Sequence, residues 1–525
     1  MTPKHKRILF WSIFTVCVIA SVWWLFHFPY SRECLYRAVP GNAVIIGEHP
    51  GIAGRWVTCL KTPAVRGILN AQGVTDEQID EAIGNPELAN AIEAFAGRNA
   101  VMAYVPALDT SRRPAWLFAS WAGAYCQPLR WGWAHRRMKD FERVSLDHGK
   151  RMWRLKPGKL GGGMHLTVAA TEGILLGCLS ADPYGVRHIL DRIDQKLPLT
   201  RRAQKVIGTV NGAARVEDNL WFQWHVDMGE GFATYESTMG MTLKGEAGSS
   251  GWFRSDFLPS PSAAGAVSAA DVGTIEKLVG NVPDAVMVGD LAGLLSILPA
   301  SPGWEDARKI ADTVAGEAAE GSGGFLALLA GRDYLGEIAG PKIAAIVAGV
   351  RLKDGVAAAD AVGRVLDKLN ADYGLSLIPK RVEGDLGVIG LNSTRPGTFK
   401  LFPAGERPAF AGVDGWLLFG TNRKALEKLL TMDRSGNCRW VDNMERGPGI
   451  CVAGDLEETG KAVENALAAY TLIMDIQAGK KNKDLAACLD MVKAWARVGS
   501  VLKTGTFRLH APDGQPEVRF EFAPR

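Results

Sequence analysis

The chain has 525 residues, 47% hydrophobic and 22% charged, a composition typical of a folded protein with room for about two to four domains. The formal net charge is only +4, so overall charge gives no support for a nucleic-acid-binding protein. The 8 cysteines include no CxxC pair, which argues against zinc-ribbon and thioredoxin-type chemistry.

The N-terminal residues have the pattern of a membrane anchor. Three basic residues within positions 4–7 precede an uncharged run over residues 8–28, which as a helix would be about 30 Å long, enough to cross a bilayer core. Two tryptophans near the end of the run are typical of the membrane interface, and bulky residues there favour an uncleaved signal anchor over a cleaved signal peptide. We predict a cytoplasmic tail (1–7), a single transmembrane helix (8–28) that contacts the lipid bilayer, and a bacterial inner-membrane protein with its bulk in the periplasm.

The remainder of the chain matches itself in order. Residues 39–47 are echoed by residues 282–289, each reading as a proline-marked turn followed by an apolar strand. Two acidic-glycine pairs between apolar runs, Glu172-Gly173 and Asp414-Gly415, are typical of tight hairpins. The last part of each half also aligns without gaps, residues 240–259 with residues 505–524.

The matches predict an α+β fold with two similar repeats. The first repeat covers residues 35–260 and the second residues 278–525, with a linker over 261–277. Hairpin signals imply mostly antiparallel sheets covered by helices. A capping box at Thr75 and Gln78 predicts a helix over 76–84, and the apolar periodicity of residues 358–373 predicts another helix.

This arrangement resembles a family of uncharacterised bacterial membrane-anchored proteins with a duplicated extracytoplasmic domain of unknown function. The residues that carry the resemblance are the turn and strand over 39–44, Gly97-Arg98 and the hairpin at Glu172-Gly173. The resemblance implies a cell-envelope setting and an unassigned role. It implies no catalytic residues.

Motifs for catalysis or for a cofactor are weak. The nearest approach to a phosphate-binding loop, from Gly454 to Lys461, has one residue too many and lacks the metal-binding hydroxyl. The glycine run over 161–163 is not joined by a Gly-x-Ser-x-Gly nucleophile elbow, and the histidines show no metal-binding spacing. We predict no catalytic, cofactor-binding or metal-binding residues. Seven cysteines follow the anchor, so both buried thiols and up to three disulfides stay open.

One segment has an unusual local charge. Residues 130–159 hold ten Lys or Arg against three Asp or Glu. By equivalence with the second repeat, the first half of this segment is expected to be a helix with Arg136, Arg137 and Lys139 on its exposed face. Such a face is either simply solvated or contacts an anionic lipid, a glycan or the acidic surface of a partner. The second repeat lacks this excess of charge.

Two functions of different kinds fit these observations. A membrane-anchored, non-enzymatic scaffold or interaction subunit of the cell envelope is favoured, because duplication creates binding surfaces without requiring chemistry. Its expected partners are the bilayer and an envelope protein or anionic surface, and not nucleic acid. The alternative is a ligand carrier or hydrolase that acts at a cleft between the two repeats.

Overall fold

The protein is α+β and contains a large antiparallel sheet. It divides into two compact units, residues 1–59 with 80–242 and residues 60–79 with 243–525. The computed structural model describes residues 3–71, 74–95, 99–108, 114–131, 139–156, 163–210, 217–227, 232–256, 258, 267, 269–280, 283–296, 312–329, 345–374, 376–381, 387–393, 408–431, 449–462, 464–465, 468, 493, 502, 504–511 and 515–523.

Helices and strands are interspersed along the described part of the chain. In chain order, the helices are α1 (Pro3–Phe26), α2 (Arg32–Arg37), α3 (Ile52–Lys61), α4 (Pro63–Ala71), α5 (Asp76–Gly84), α6 (Pro86–Phe95), α7 (Cys126–Arg130), α8 (Val186–Asp194), α9 (Arg201–Val210), α10 (Ala269–Val279), α11 (Leu291–Ser296), α12 (Ala358–Tyr373) and α13 (Arg423–Thr431). The strands are β1 (Ile45–Pro50), β2 (Asn99–Val105), β3 (Ala115–Trp121), β4 (Phe141–Ser145), β5 (Arg151–Leu155), β6 (His165–Thr171), β7 (Ile174–Ser180), β8 (Asp218–Asp227), β9 (Phe232–Leu243), β10 (Ser249–Ser255), β11 (Ala285–Asp290), β12 (Gly323–Leu329), β13 (Ala345–Arg351), β14 (Leu377–Arg381), β15 (Ile389–Ser393), β16 (Ala409–Val413), β17 (Trp416–Gly420), β18 (Ile450–Asp455), β19 (Thr504–His510) and β20 (Glu517–Ala523).

The sheet of the first unit is built around strand β1, which pairs with β2 on one side and with β8 on the other. From β2 the order continues through β3, β7, β6 and β5 to β4, and from β8 it continues to β9. Every one of these pairs is antiparallel. The sheet therefore runs in the order β4-β5-β6-β7-β3-β2-β1-β8-β9.

Both faces of this sheet are covered, because strand residues alternate between its two sides. Ile174, Leu176 and Cys178 of β7 point into the main core, where α2, α8 and α9 contribute buried side chains. Leu175, between them, points to the opposite face, where α7 packs. The helix α7, at the start of the basic segment, thus lies on the second face of the sheet.

The second unit has a sheet centred on β11, which pairs with β12 and with β18. The order is β14-β15-β16-β17-β13-β12-β11-β18-β19-β20, and β20 also pairs with β10. Trp416 and Leu418 point to the core beneath α10 and α13, whereas Leu417 points to the face beneath α12.

Several local predictions are confirmed. In each hairpin, Glu172-Gly173 and Asp414-Gly415, both residues have positive φ, from 46° to 79°, as a type I′ turn requires. The helix over residues 358–373 is α12. At α5 the Thr75 amide donates to Gln78 at 3.0 Å and the Gln78 amide donates to Thr75 at 3.4 Å, which is the predicted capping box.

Other predicted segments have a different structure. Residues 269–277, within the predicted linker, form most of α10, whose Ile275 is buried in the core of the second unit. This helix was mistaken for a linker because many of its residues are small, as in a linker. Gly97 and Arg98, which contribute to the family resemblance, lie outside the described residues.

Helix α1 (Pro3–Phe26) overlaps the predicted transmembrane segment, 8–28, over residues 8–26. It has 24 residues, and its apolar side chains are exposed, with 64% of Phe10, 61% of Trp11 and 61% of Trp23 accessible. Among the residues that the structure describes, no helix meets the combined length and hydropathy expected of a membrane span.

Candidate functional site: a basic cleft in the first unit

A cleft of about 510 Å³ lies in the first unit, at the basic segment. Its cationic and aromatic lining comes from this segment: Arg130, Trp131, His148, Lys150 and Arg151. The other residues lie on the β6–β7 hairpin and on α8: Ala170, Thr171, Glu172, Leu190 and Asp194. The cleft thus gathers residues from three separate parts of the chain.

Helix α7 places Arg130 and Trp131 at the cleft. The helix is anchored by Cys126 and Leu129, which are buried against the second face of the sheet. Its end is fixed by the indole of Trp153, which donates to the Leu129 carbonyl oxygen at 3.3 Å. Arg130 is exposed at this end. Its positive charge is favourable there, because the helix dipole is negative at a C-terminus.

The turn between β4 and β5 places Lys150 and Arg151. Residues Asp147–Gly149 form a single 3₁₀ turn in which His148 has a φ of 60°. The Leu146 amide donates to the Lys150 carbonyl oxygen at 2.8 Å, which closes the turn. The guanidinium of Arg151 then donates to the Trp131 carbonyl oxygen. This hydrogen bond ties the turn to the end of α7.

The charge of Lys150 is balanced within the cleft wall. Its ammonium lies 2.9 Å from Asp191 and 2.8 Å from Asp194, and the Thr171 hydroxyl donates to Asp194 at 3.0 Å. Burial alone would lower the pKa of Lys150, but the hydrogen bonds to Asp194 and Asp191 outweigh burial and raise the pKa. Lys150 therefore stays protonated and holds the turn to α8 instead of facing a ligand as a free charge.

Arg130, Arg151 and Glu172 are the charged cleft residues outside the Lys150 network, so positive charge exceeds negative charge among these three by one. Within the described part of the chain, neither guanidinium has a carboxylate partner within salt-bridge distance. Both line the cleft beside Trp131. A guanidinium offers a planar set of N–H donors that matches a phosphate or carboxylate, and an indole face tolerates both an apolar group and a cation. This geometry suits the binding of an anionic group.

None of the three residues predicted from the sequence is among the described residues that line the cleft. Lys139 is exposed in the turn before β4, and its carbonyl oxygen accepts from the Lys156 ammonium at 2.7 Å. Arg136 and Arg137 lie outside the described residues. Phe141, expected on the same helix as Trp131, instead begins β4, because it pairs with Leu155 across the β4–β5 hairpin.

The local charge of the sequence identifies the basic segment but not the residues within it that line the cleft. Arg130 and Arg151 lie twenty-one positions apart, and their proximity depends on the β4–β5 turn, which has no strong turn motif. Met152 and Trp153 are both buried, one on each face of the sheet, so strand β5 lacks the apolar–polar alternation that marks a strand in a sequence. Asp191 and Asp194 could not be assigned from the sequence, because helix α8 is distant in the chain.

Glu48 and Glu517 are the two least exposed carboxylates outside the cleft among the described residues, and each is surrounded by donors. Glu48 on β1 is 3% exposed and belongs to the first unit. Glu517 on β20 is 2% exposed and belongs to the second unit, where it accepts from Arg519 at 3.0 Å and contacts His510 at 3.2 Å. These hydrogen bonds give both carboxylates a structural role.

Other kinds of site are not represented in the described residues. No group of three His, Cys, Asp or Glu side chains there is arranged to hold a metal ion. Among the described cysteines, Cys17, Cys34, Cys59, Cys126 and Cys178 are free thiols.

Comparison with known proteins adds no assignment. No family model matches the chain, and neither the curated proteins nor the solved structures give a match. The resemblance to a family of duplicated, membrane-anchored envelope proteins therefore stays a prediction.

Proposed function

We propose that the chain is a membrane-anchored, non-enzymatic scaffold or interaction subunit of the bacterial inner membrane, and that its first unit binds an anionic group in the basic cleft. The observation that carries this proposal is the pair Arg130 and Arg151, which line the cleft without a carboxylate partner among the described residues. A guanidinium pair of this kind favours a bound phosphate or carboxylate.

The proposed anchor is α1, with the bulk of the chain outside the cytoplasm. Its 24 residues would form a helix about 36 Å long. Support comes from the basic cluster at 4–7, which favours a cytoplasmic N-terminus, and from the exposed apolar side chains along the helix. An active periplasmic reporter fused after Arg525 is the expected result, and cytoplasmic activity of that reporter would contradict the proposal.

We also propose that the two units derive from one duplicated α+β repeat. Each strand pairing of the first unit has a counterpart in the second, with β11 in place of β1, β12 in place of β2, and so on through β18 in place of β8. The hairpin turns at Glu172 and Asp414 occupy equivalent positions, and their φ angles of 46° and 48° agree. An experimental structure with a different strand order in the two halves would contradict this proposal.

Anion binding is tested with the full-length protein in neutral detergent. Inorganic pyrophosphate is titrated by calorimetry against the parent, Arg130→Glu and Arg143→Glu. Arg143 is a matched control because it is exposed on β4, in the same segment, but does not line the cleft.

Removal of a charge-assisted hydrogen bond costs about 1.5–3 kcal/mol, so Arg130→Glu should weaken binding by about tenfold or more. Arg143→Glu should bind pyrophosphate nearly as well as the parent, since its charge lies outside the cleft. Equal weakening by the two substitutions would indicate general electrostatic attraction, and no binding by the parent would refute the cleft as an anion site.

A further inference from the structure

The chain that leaves the proposed anchor packs directly on the cleft wall. Phe28, two residues after the end of α1, is partly buried against the core of the first unit. A Cβ atom placed on Gly173 would lie 2.9 Å from the Phe28 Cβ atom, so the ring contacts the β6–β7 turn. The residue before Gly173 is Glu172, which lines the cleft.

The next residues are also fixed to the first unit. The Tyr30 ring contacts the Trp121 ring edge-on, with centroids 5.5 Å apart, and the Tyr30 hydroxyl accepts from the Asn99 amide at 2.7 Å. Residues 28–30 are therefore docked on the unit and do not form a loose tether.

Helix α2 completes this attachment through the buried carboxylate of Glu48. Arg32 donates to both carboxylate oxygens, at 2.8 and 2.6 Å, and the Tyr36 hydroxyl donates at 2.7 Å. Burial and the neighbouring carboxylate raise the pKa of the Tyr36 phenol, which keeps it protonated as a donor. Both donors lie on α2, so the anchor is joined to strand β1 by a short, rigid connection.

This connection fixes the distance between the cleft and the membrane that holds the proposed anchor. Residue 28 lies two residues beyond the end of α1, the proposed membrane span, so the turn that contacts it lies at the level of the lipid headgroups. The amides of Ala122 and Gly123 donate to the Gly173 carbonyl oxygen at 3.0 and 2.8 Å, which brings the neighbouring Tyr125 to the same level. Tyr125 is 65% exposed, and tyrosine is enriched at membrane interfaces.

We infer that the basic cleft faces the outer surface of the membrane that holds the anchor, and that its ligand is the headgroup of an anionic phospholipid. This inference rests on the proposed anion-binding function and names its ligand. The guanidinium groups of Arg130 and Arg151, which have no carboxylate within salt-bridge distance among the described residues, match a lipid phosphate, and Trp131 and Tyr125 supply interfacial aromatic groups.

A lipid fits these observations better than a soluble anion. The anchor holds the cleft beside a surface where anionic headgroups are concentrated. The effective concentration of headgroups at the cleft is therefore high, and the cleft needs little intrinsic affinity for a headgroup. A soluble anion would gain nothing from the docking of Phe28 and Tyr30 on the cleft side of the unit.

The test uses the full chain in nanodiscs of phosphatidylcholine, with and without phosphatidylglycerol. A photoreactive amino acid in place of Tyr125 reports contact with lipid. The lipids that remain bound after transfer to detergent are identified by native mass spectrometry, for the parent, Arg130→Gln, Arg130→Glu and the control Arg143→Glu.

If the inference holds, the photoreactive residue at position 125 crosslinks to lipid in both kinds of disc. Phosphatidylglycerol is also retained in preference to phosphatidylcholine. Each basic residue near an anionic surface contributes about 1 kcal/mol, which is about fivefold, so Arg130→Gln should lose about fivefold of this preference. Arg130→Glu should lose more, and Arg143→Glu should keep the preference. Arg130→Gln retains the length and polarity of the side chain, so a folding defect is not expected to obscure the result.

Two results overturn the inference: no lipid crosslink at Tyr125, or equal retention of the two lipids. The pyrophosphate titration then separates the two proposals. If pyrophosphate still binds in an Arg130-dependent manner, the cleft is an anion site for a soluble ligand and only the lipid assignment fails. If pyrophosphate does not bind either, the anion-binding function fails with it.

Discussion

The free-energy contribution of the contact between Phe28 and the β6–β7 turn can be measured with a glycine-to-alanine substitution in each of two similar turns. Gly173 and Gly415 have nearly identical backbone angles, with φ of 79° and 78°. A Cβ atom on Gly173 would lie 2.9 Å from Phe28 and 3.1 Å from Trp121. A Cβ atom on Gly415 would have no described atom within 4 Å. Gly415→Ala is therefore the matched control for Gly173→Ala.

The magnitudes follow from this difference. An alanine at positive φ costs about 1–2 kcal/mol, of which the reduced entropy of the unfolded chain returns about 0.4–1 kcal/mol. Gly415→Ala should therefore destabilise its hairpin by about 1 kcal/mol. Gly173→Ala must also displace Phe28 or Trp121, and inserting a methyl group into a packed site costs about 1–3 kcal/mol. The expected difference between the two variants is about 1–3 kcal/mol.

Hydrogen exchange of the full-length protein in detergent measures each hairpin separately, which avoids treating a chain of two units as two-state. Gly173→Ala should accelerate exchange of residues 165–180 and also of residues 27–37, by about tenfold for each 1.4 kcal/mol. Gly415→Ala should affect only residues 409–420, and more weakly. If residues 27–37 exchange equally in the parent and in Gly173→Ala, Phe28 does not hold the segment after α1 to the turn.

Three further predictions concern buried groups. Glu48→Gln should destabilise the first unit by about 3 kcal/mol in hydrogen exchange, because it removes the buried carboxylate that pairs with Arg32. Glu142→Gln, at a more exposed ion pair, should stay within about 1 kcal/mol. Burial lowers the pKa of His510, so its contribution to stability is complete above the unfolded value of about 6.5 and falls as the pH drops below it. His510→Gln should flatten the loss of stability of the second unit measured in urea between pH 7.5 and 5.5, and an unchanged slope would refute this. Burial raises the pKa of Cys126 to about 12 and that of Cys178 to about 11. Neither thiol should therefore react with maleimide at neutral pH until the protein unfolds. Rapid labelling of either thiol in the folded protein would contradict its burial.

Local features were predictable from the sequence because each depends on neighbours in the chain. Glu172-Gly173 and Asp414-Gly415 form tight hairpins, since the chemistry of a two-residue turn is encoded in those two residues. The helix over 358–373 was predictable from its apolar periodicity, and Val362, Val365 and Leu366 are buried as expected.

The cleft was not predictable in the same way. Local charge in the sequence identified the basic segment. The roles of its cations in the cleft depend on the distant residues Asp191 and Asp194, which pair with Lys150. Arg151 has no carboxylate partner among the described residues. Phe141 was assigned to a helix by analogy with the second half, whereas pairing with Leu155 makes it part of a strand. Tertiary contacts outweighed local pattern at this position.

The position of the central strands affects when each unit can complete its fold as the chain is synthesised from its N-terminus. Ile45 of β1 pairs with Tyr104 on one side but with Phe222 on the other, and Ala285 of β11 pairs with Leu328 and with Gly454. The inner strand of each sheet is thus made early and keeps one backbone edge open until most of its unit has followed. Open strand edges invite pairing with the wrong strand, and chains with more than one domain are prone to misassembly. Folding of each unit is therefore completed late in its synthesis, and the open edge must be shielded until β8 or β18 arrives.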